Sequence, residues 1–100
     1  MDIPSLSEKE FLIMNLLIAN SREMYGLELV EKSGGTLKRG TIYVTLGRLE
    51  EKGYIKSHKE PESPGVASPR RLYKPTGLGV NVFKALRSVT SKAVLKEAFA

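Results

Sequence analysis

The stretch Gly40–Ile55, GTIYVTLGRLEEKGYI, restricts the fold more than any other part of the chain. Thr41-Ile42-Tyr43-Val44-Thr45 is made of residues that favour a strand, whereas Leu46 to Lys52 reads as a helix that stops at Gly53. At about 100° per residue, Ile42, Leu46 and Leu49 fall on one stripe, and Thr41, Val44, Thr45, Arg48 and Lys52 fall on the opposite side. As a strand, alternation would bury Arg48 together with Ile42, Val44 and Leu46. The pattern therefore predicts a helix over residues 40–52, in spite of Gly47 and the β-branched residues, with a strand beginning at Tyr54.

The flanking sequence supplies the elements that such a helix needs. Ser7 with Glu10 three residues later forms a capping box ahead of FLIMNLLIA. Leu12, Leu16 and Ala19 share one face of that first helix, widened by Phe11, Met14, Leu17 and Ile18. MYGLELVEKSGG predicts a second, shorter helix with Tyr25 in the core at its start and Gly34-Gly35 at its end. YIKSHKE and RRLYKPT alternate as two short strands around PESPGVASP, whose three prolines and one glycine mark a turn. In the second strand Leu72 faces one way and Arg71 and Tyr73 the other. From Thr76, whose hydroxyl suits an N-cap, the chain reads as one long helix. Val82, Leu86, Val89 and Ala93 form its stripe, broadened by Phe83, Val94 and Ala98. The order of elements predicts a mainly α fold with a small β-hairpin, a winged helix-turn-helix over residues 1–76 with a long C-terminal helix over 77–100, and the apolar stripe of that helix, longer than one small core needs, is expected to make it a dimerisation helix.

Charge placement narrows the function. The net charge is +5, but residues 1–35 carry three basic and six acidic side chains, and residues 36–74 carry nine and four. A positive field centred on the quoted stretch suits a polyanion, most simply nucleic acid. The chain has no cysteine, which excludes a disulfide framework, a thiolate metal site and a catalytic thiol. The lone histidine, His58, reads as a surface strand residue, and no metal or cofactor is expected. Glu50 and Glu51 lack the companions of acid–base chemistry and read as solvated or paired with Arg48 or Lys52. The apolar run at 11–19 is too short to span a bilayer, and a cytoplasmic protein is expected.

The strand-like composition of the helix start then has a use. N-terminal residues of a recognition helix enter the DNA major groove, where Val44 and threonine methyls can meet thymine and Arg48 can fork onto guanine. A winged helix serving as a protein-interaction module is the alternative, and it would present a larger apolar patch than this face offers.

Three segments carry a resemblance to the PadR family of bacterial transcriptional regulators. YGLEL at 25–29, GTIYVTLGRLEEKGYI at 40–55 and PRRLYKPTGLG at 69–79 are similar to that family's second helix, recognition segment and wing. The resemblance implies a repressor, a homodimer whose C-terminal helices swap onto each other, and a pseudo-palindromic double-stranded operator. It also implies a small aromatic or drug-like effector between the first and C-terminal helices. The DNA-binding set expected is Lys38, Arg39, Thr41, Tyr43, Val44, Thr45, Arg48, Lys52, Arg70 and Arg71, with one of the two wing arginines facing DNA and the other solvent. The dimerisation set is Val82, Phe83, Leu86, Val89, Ala93 and Val94. The chain departs from the family pattern in three places. Val44 stands for the usual proline, Pro75 stands for leucine and is expected to end the wing strand early, and the wing tip carries Glu60 and Glu62, which disfavour phosphate contact.

Overall fold

A computed structural model of the chain describes residues 5–61, 64–65 and 70–98, with side chains as far as residue 88. Helix α1 (Glu8–Asn20) starts at the expected capping box: the Ser7 N–H donates to Glu10 Oε1 at 2.8 Å and the Glu10 N–H to Ser7 Oγ at 3.2 Å. Its buried face is Ile13, Met14 and Leu17, with Leu12 and Leu16 at the margin and Ala19 exposed. The stripe through Leu12, Leu16 and Ala19 is thus rotated from the one the core uses. A helix apolar on nearly all sides leaves that choice to its neighbours.

Met24 and Tyr25 do not begin a helix. They form a two-residue strand, β1 (Met24–Tyr25), and α2 (Gly26–Lys32) starts after them. Helix α3 (Ile42–Glu51) buries Ile42, Leu46 and Leu49, the stripe expected of it. It ends in a Schellman motif: Gly53 takes φ +80°, its N–H donates to Glu50 O at 2.9 Å, and the Tyr54 N–H donates to Leu49 O at 3.0 Å.

Strands β2 (Ile55–Lys59) and β3 (Arg71–Pro75) are antiparallel, and β3 lies between β2 and β1. The wing is therefore a three-stranded sheet, with Met24 opposite Tyr73 and Tyr25 opposite Leu72. Tyr73 is the buried member of β3, and burial pushes its phenol pKa up. Pro75 does not shorten the strand. It is paired with Ile55, and Thr76 continues the ladder by donating its N–H to Tyr54 O at 3.0 Å.

Thr76 then caps α4 (Gly77–Ala98), accepting the Gly79 N–H at 3.0 Å while its hydroxyl donates to Gly53 O at 2.7 Å. Gly79 sits so close to the preceding turn that a Cβ there would lie 2.0 Å from Tyr54 O. The first turns of α4 pack on α1, with the Phe83 and Phe11 ring centroids 4.7 Å apart. This divides the expected dimerisation stripe. Val82 and Phe83 are buried in the chain's own core and Leu86 packs against it, because α4 covers the apolar side of α1 before it extends further. The side chains of Val89, Ala93 and Val94 lie outside the described residues.

Candidate nucleic-acid interface

The turn between α2 and α3 is fixed from within. Ser33 Oγ donates to Val30 O at 2.7 Å and accepts the Leu37 N–H at 2.9 Å, and Leu37 is buried. Gly34 and Gly35, at φ +63° and +100°, supply the left-handed backbone that follows the end of α2. The Lys38 carbonyl accepts the Thr41 and Ile42 N–H groups at 3.2 and 2.9 Å, so the Lys38-Arg39-Gly40 segment is held as the lead-in to α3 with both basic side chains exposed.

With Ile42, Leu46 and Leu49 turned inward, α3 presents Thr41, Tyr43, Val44, Gly47 and Arg48 outward. Val44 is 57% exposed and Tyr43 53%, high values for apolar and aromatic residues in a helix whose other face is fully buried. Thr45 is half-buried and its hydroxyl donates back to Thr41 O at 3.3 Å, which leaves its methyl as the freer group.

Lys52 is elsewhere. As the C-cap of α3 it turns toward α1, where Nζ donates to both Glu10 carboxylate oxygens at 2.9 Å and to Ser5 O at 3.3 Å. The helical wheel puts Lys52 beside Arg48, but its long stem carries the ammonium to the buried carboxylate instead. Burial works against the charged form of Glu10, yet the Ser7 N–H and the Lys52 ammonium outweigh it and hold the carboxyl below its ordinary range. The pair anchors α3 to α1, and Lys52 is not part of the outward face.

Beside the outward face runs a groove of about 820 Å³ between α2, the start of α3 and the wing, its lining including Tyr25, Arg39, Tyr43, Arg70, Arg71 and Tyr73. The two wing arginines reach it by different routes. Arg71 donates from Nη1 to Ser57 Oγ at 3.0 Å, and Ser57 in turn hydrogen-bonds Glu50 at the end of α3. Arg70 lies over the Tyr25 ring, 4.0 Å from its centroid, with Nε 3.5 Å from Glu60 Oε2. Tyr25 OH donates to Glu60 Oε1 at 2.7 Å, and this hydrogen bond raises the phenol pKa. Glu60 is thus partly buried against Tyr25 and Arg70 at the base of the wing, while Glu62 lies outside the described residues. On the far strand, His58 Nε2 meets Glu23 Oε2 at 2.6 Å, and that carboxylate raises the imidazole pKa.

Sequence reasoning overlooked the Tyr25–Glu60–Arg70 cluster. Tyr25 and Glu60 are 35 positions apart, and periodicity within either segment carries no sign of their meeting. It also overlooked Gly26, where a Cβ would meet Tyr43 Cε1 at 2.8 Å. Among the described residues no cluster of histidine and carboxylate side chains could hold a metal ion, and no helix is long and apolar enough to cross a membrane.

Solved structures share this architecture. A PadR family transcription regulator from Clostridium difficile R20291 is 26% identical, aligned over 90% of this chain and 96% of its own, with a TM-score of 0.70. A PadR family transcriptional regulator from Eggerthella lenta DSM 2243 is 26% identical over 90% of this chain and 83% of its own, with a TM-score of 0.69. The PcaV transcriptional regulator from Streptomyces coelicolor, seen with its natural ligand, is similar in fold alone, at 22% identity over 95% of this chain and 64% of its own and a TM-score of 0.70. No curated protein matches the chain. The Transcriptional regulator PadR-like family matches residues 13–85, a span that runs from within α1 into α4 and includes all of α3 and both strands of the wing hairpin. By that match the chain belongs to the PadR-like family of transcriptional regulators, whose winged helix binds DNA.

Proposed function

We propose that this regulator is a cytoplasmic repressor that binds a pseudo-palindromic operator as a homodimer. The outward face of α3 carries the reading: Thr41, Val44 and Arg48 are exposed there and, among the described residues, belong to no part of the core. Thr41, Val44, Arg48 and the Thr45 methyl face the bases. Lys38, Arg39, Tyr43 and Arg71 hold the backbone on either side. In this reading residues 1–76 bind DNA and residues 77–100 dimerise, through Val89, Ala93 and Val94 with Leu86 at the boundary. Two recognition helices related by a twofold axis would meet half-sites one helical turn, about 34–36 Å, apart or a multiple of it.

A cavity of about 360 Å³ lined by Leu17, Ile18, Arg22, Lys74, Pro75 and Val80 lies where α1, β3 and the start of α4 meet. Its size and place suit a small aromatic or drug-like effector, and an occupant there would bear on α4 and so on the dimer.

A gel shift of the purified protein on the DNA upstream of its own coding sequence tests the central claim. A discrete complex that survives excess random duplex is expected, with log K falling against log salt at a slope steeper than about −4. Sedimentation at micromolar concentration should give a dimer. A flat salt response would sink DNA binding as the function, and a folded monomer would sink the dimer.

A further inference from the structure

The base of the wing holds an anion site that is filled by the chain's own carboxylate. We propose that Tyr25 OH and the Arg70 guanidinium form a phosphodiester-binding site in which Glu60 occupies the phosphate position in the DNA-free protein, and that a backbone phosphate of duplex DNA displaces it. The inference rests on the DNA-binding reading above and assigns to it two contacts and an internal competitor.

Three observations carry it. The first is donor geometry. Tyr25 OH and Arg70 Nε both point at one carboxylate, at 2.7 and 3.5 Å, on its two different oxygens. A carboxylate and a phosphodiester present the same feature to such donors, two oxygens sharing one negative charge. The second is that the donors do not depend on the acceptor for their positions. Tyr25 is held in β1, paired with Leu72, and its N–H donates to Glu28 Oε1 at 3.0 Å. Arg70 is stacked on the Tyr25 ring, and its carbonyl accepts the Glu60 N–H at 2.7 Å. Removing the Glu60 carboxylate therefore leaves ring, guanidinium and hairpin base in place. The third is accessibility. The Arg70 side chain is 62% exposed and that of Glu60 30%, and the site opens into the groove that Arg39, Tyr43 and Arg71 also line. A half-exposed carboxylate–guanidinium pair is weak and readily exchanged, and here only Nε approaches Glu60, at 3.5 Å, so the two parallel hydrogen bonds that a guanidinium can give to a carboxylate or a phosphodiester are not spent on it.

Glu28 and Glu31 line the same groove, so its field is mixed. With Glu60 in place Arg70 adds little net charge for a distant polyanion. The contact forms only when DNA is seated closely enough to replace the carboxylate. This arrangement weakens loose, sequence-independent association more than it weakens a fully docked complex.

The test compares wild type, Glu60→Gln, Tyr25→Phe and the double variant, by fluorescence anisotropy on a labelled random duplex and on the upstream duplex. The substituted side chains are half-buried and each replacement nearly keeps the volume, and thermal melts check that each variant is folded. Glu60→Gln should tighten random-duplex binding by about fivefold, the yield of one exposed charge-assisted contact. The gain on the upstream duplex should be smaller. Tyr25→Phe keeps the ring under Arg70 but removes the donor, and in the Glu60→Gln background it should cancel most of the gain. A gain that survives in the double variant would show a general charge effect and overturn the site. Equal affinities for wild type and Glu60→Gln would overturn it while leaving DNA binding intact. Absence of duplex binding by every variant would remove the DNA reading and this inference together.

Discussion

The ring of Tyr43 lies against Gly26, at the start of α2, so closely that a Cβ on Gly26 would come within 2.8 Å of Tyr43 Cε1 and 3.1 Å of its hydroxyl. The glycine of YGLEL and the tyrosine of GTIYVT are thus halves of one contact. Tyr43 is exposed and flexible at its far end, so Gly26→Ala should displace the ring and leave the fold standing. Stability should change by less than about 1 kcal/mol, since alanine also favours a helix over glycine. DNA affinity should fall by about 1 kcal/mol through loss of the Tyr43 contact. Paired melting and anisotropy curves check this, and a large loss of stability with unchanged affinity would contradict it.

Lys52 and Glu10 make a different kind of pair. The Glu10 side chain is 5% exposed and that of Lys52 37%. Lys52→Ala should therefore cost more than the ~1 kcal/mol of an exposed pair and less than the roughly 3–5 kcal/mol of a fully buried one. Because the folded carboxyl is held below its ordinary 4.5, the pair's contribution is full above about pH 4.5 and is lost as pH falls through the folded value. In Lys52→Ala, burial without a cation should raise the Glu10 pKa, so the variant loses less stability on acidification than wild type. Urea melts across pH 3–7 measure both effects, and parallel pH curves for the two proteins would refute the pairing.

The His58–Glu23 contact runs in the opposite direction with pH. The imidazole pKa is raised above its ordinary 6.5, so the stability this contact contributes is fully present below about pH 6.5 and is lost as pH rises through the folded value. An NMR titration should find His58 above 6.5 in wild type and close to it in Glu23→Gln. An unchanged midpoint would show that Glu23 does not act on the ring.

Arg48 and Arg71 should separate reading from holding. Arg48 is exposed on the outward face of α3, whereas Arg71 is tethered to Ser57 on the wing. Arg48→Ala should cost roughly 1–3 kcal/mol on the operator and little on random duplex, and should relax preference at one base pair. Arg71→Ala should weaken both duplexes by similar factors and flatten the salt slope by about one ion per contact. Equal losses on both duplexes for Arg48→Ala would leave Thr41, Val44 and Thr45 to carry specificity.

The recognition helix was legible because its apolar spacing excluded a strand, and Ile42, Leu46 and Leu49 are the residues it buries. The caps at Ser7 and Thr76 and the stop at Gly53 were legible because each is local chemistry within a few residues. Other features depend on distant partners. Two residues, Met24 and Tyr25, cannot show a period, and their strand exists because β3 passes beside them. In FLIMNLLIA no face is polar enough to be excluded, so tertiary contact chose Ile13, Met14 and Leu17. Lys52 was misplaced because a wheel records where a side chain leaves the helix and not where a four-carbon stem delivers its charge.

The junction at Gly79 has a mechanical consequence. A glycine pressed on the Tyr54 carbonyl and a Thr76 bonded to both sides of the turn join the base of α4 closely to the end of the recognition helix. A 22-residue helix is about 33 Å long, so a rotation of 5° at this joint would sweep its far end through about 3 Å. Conversely, a partner that gripped the far end of α4 would act on the attitude of α3 through this joint.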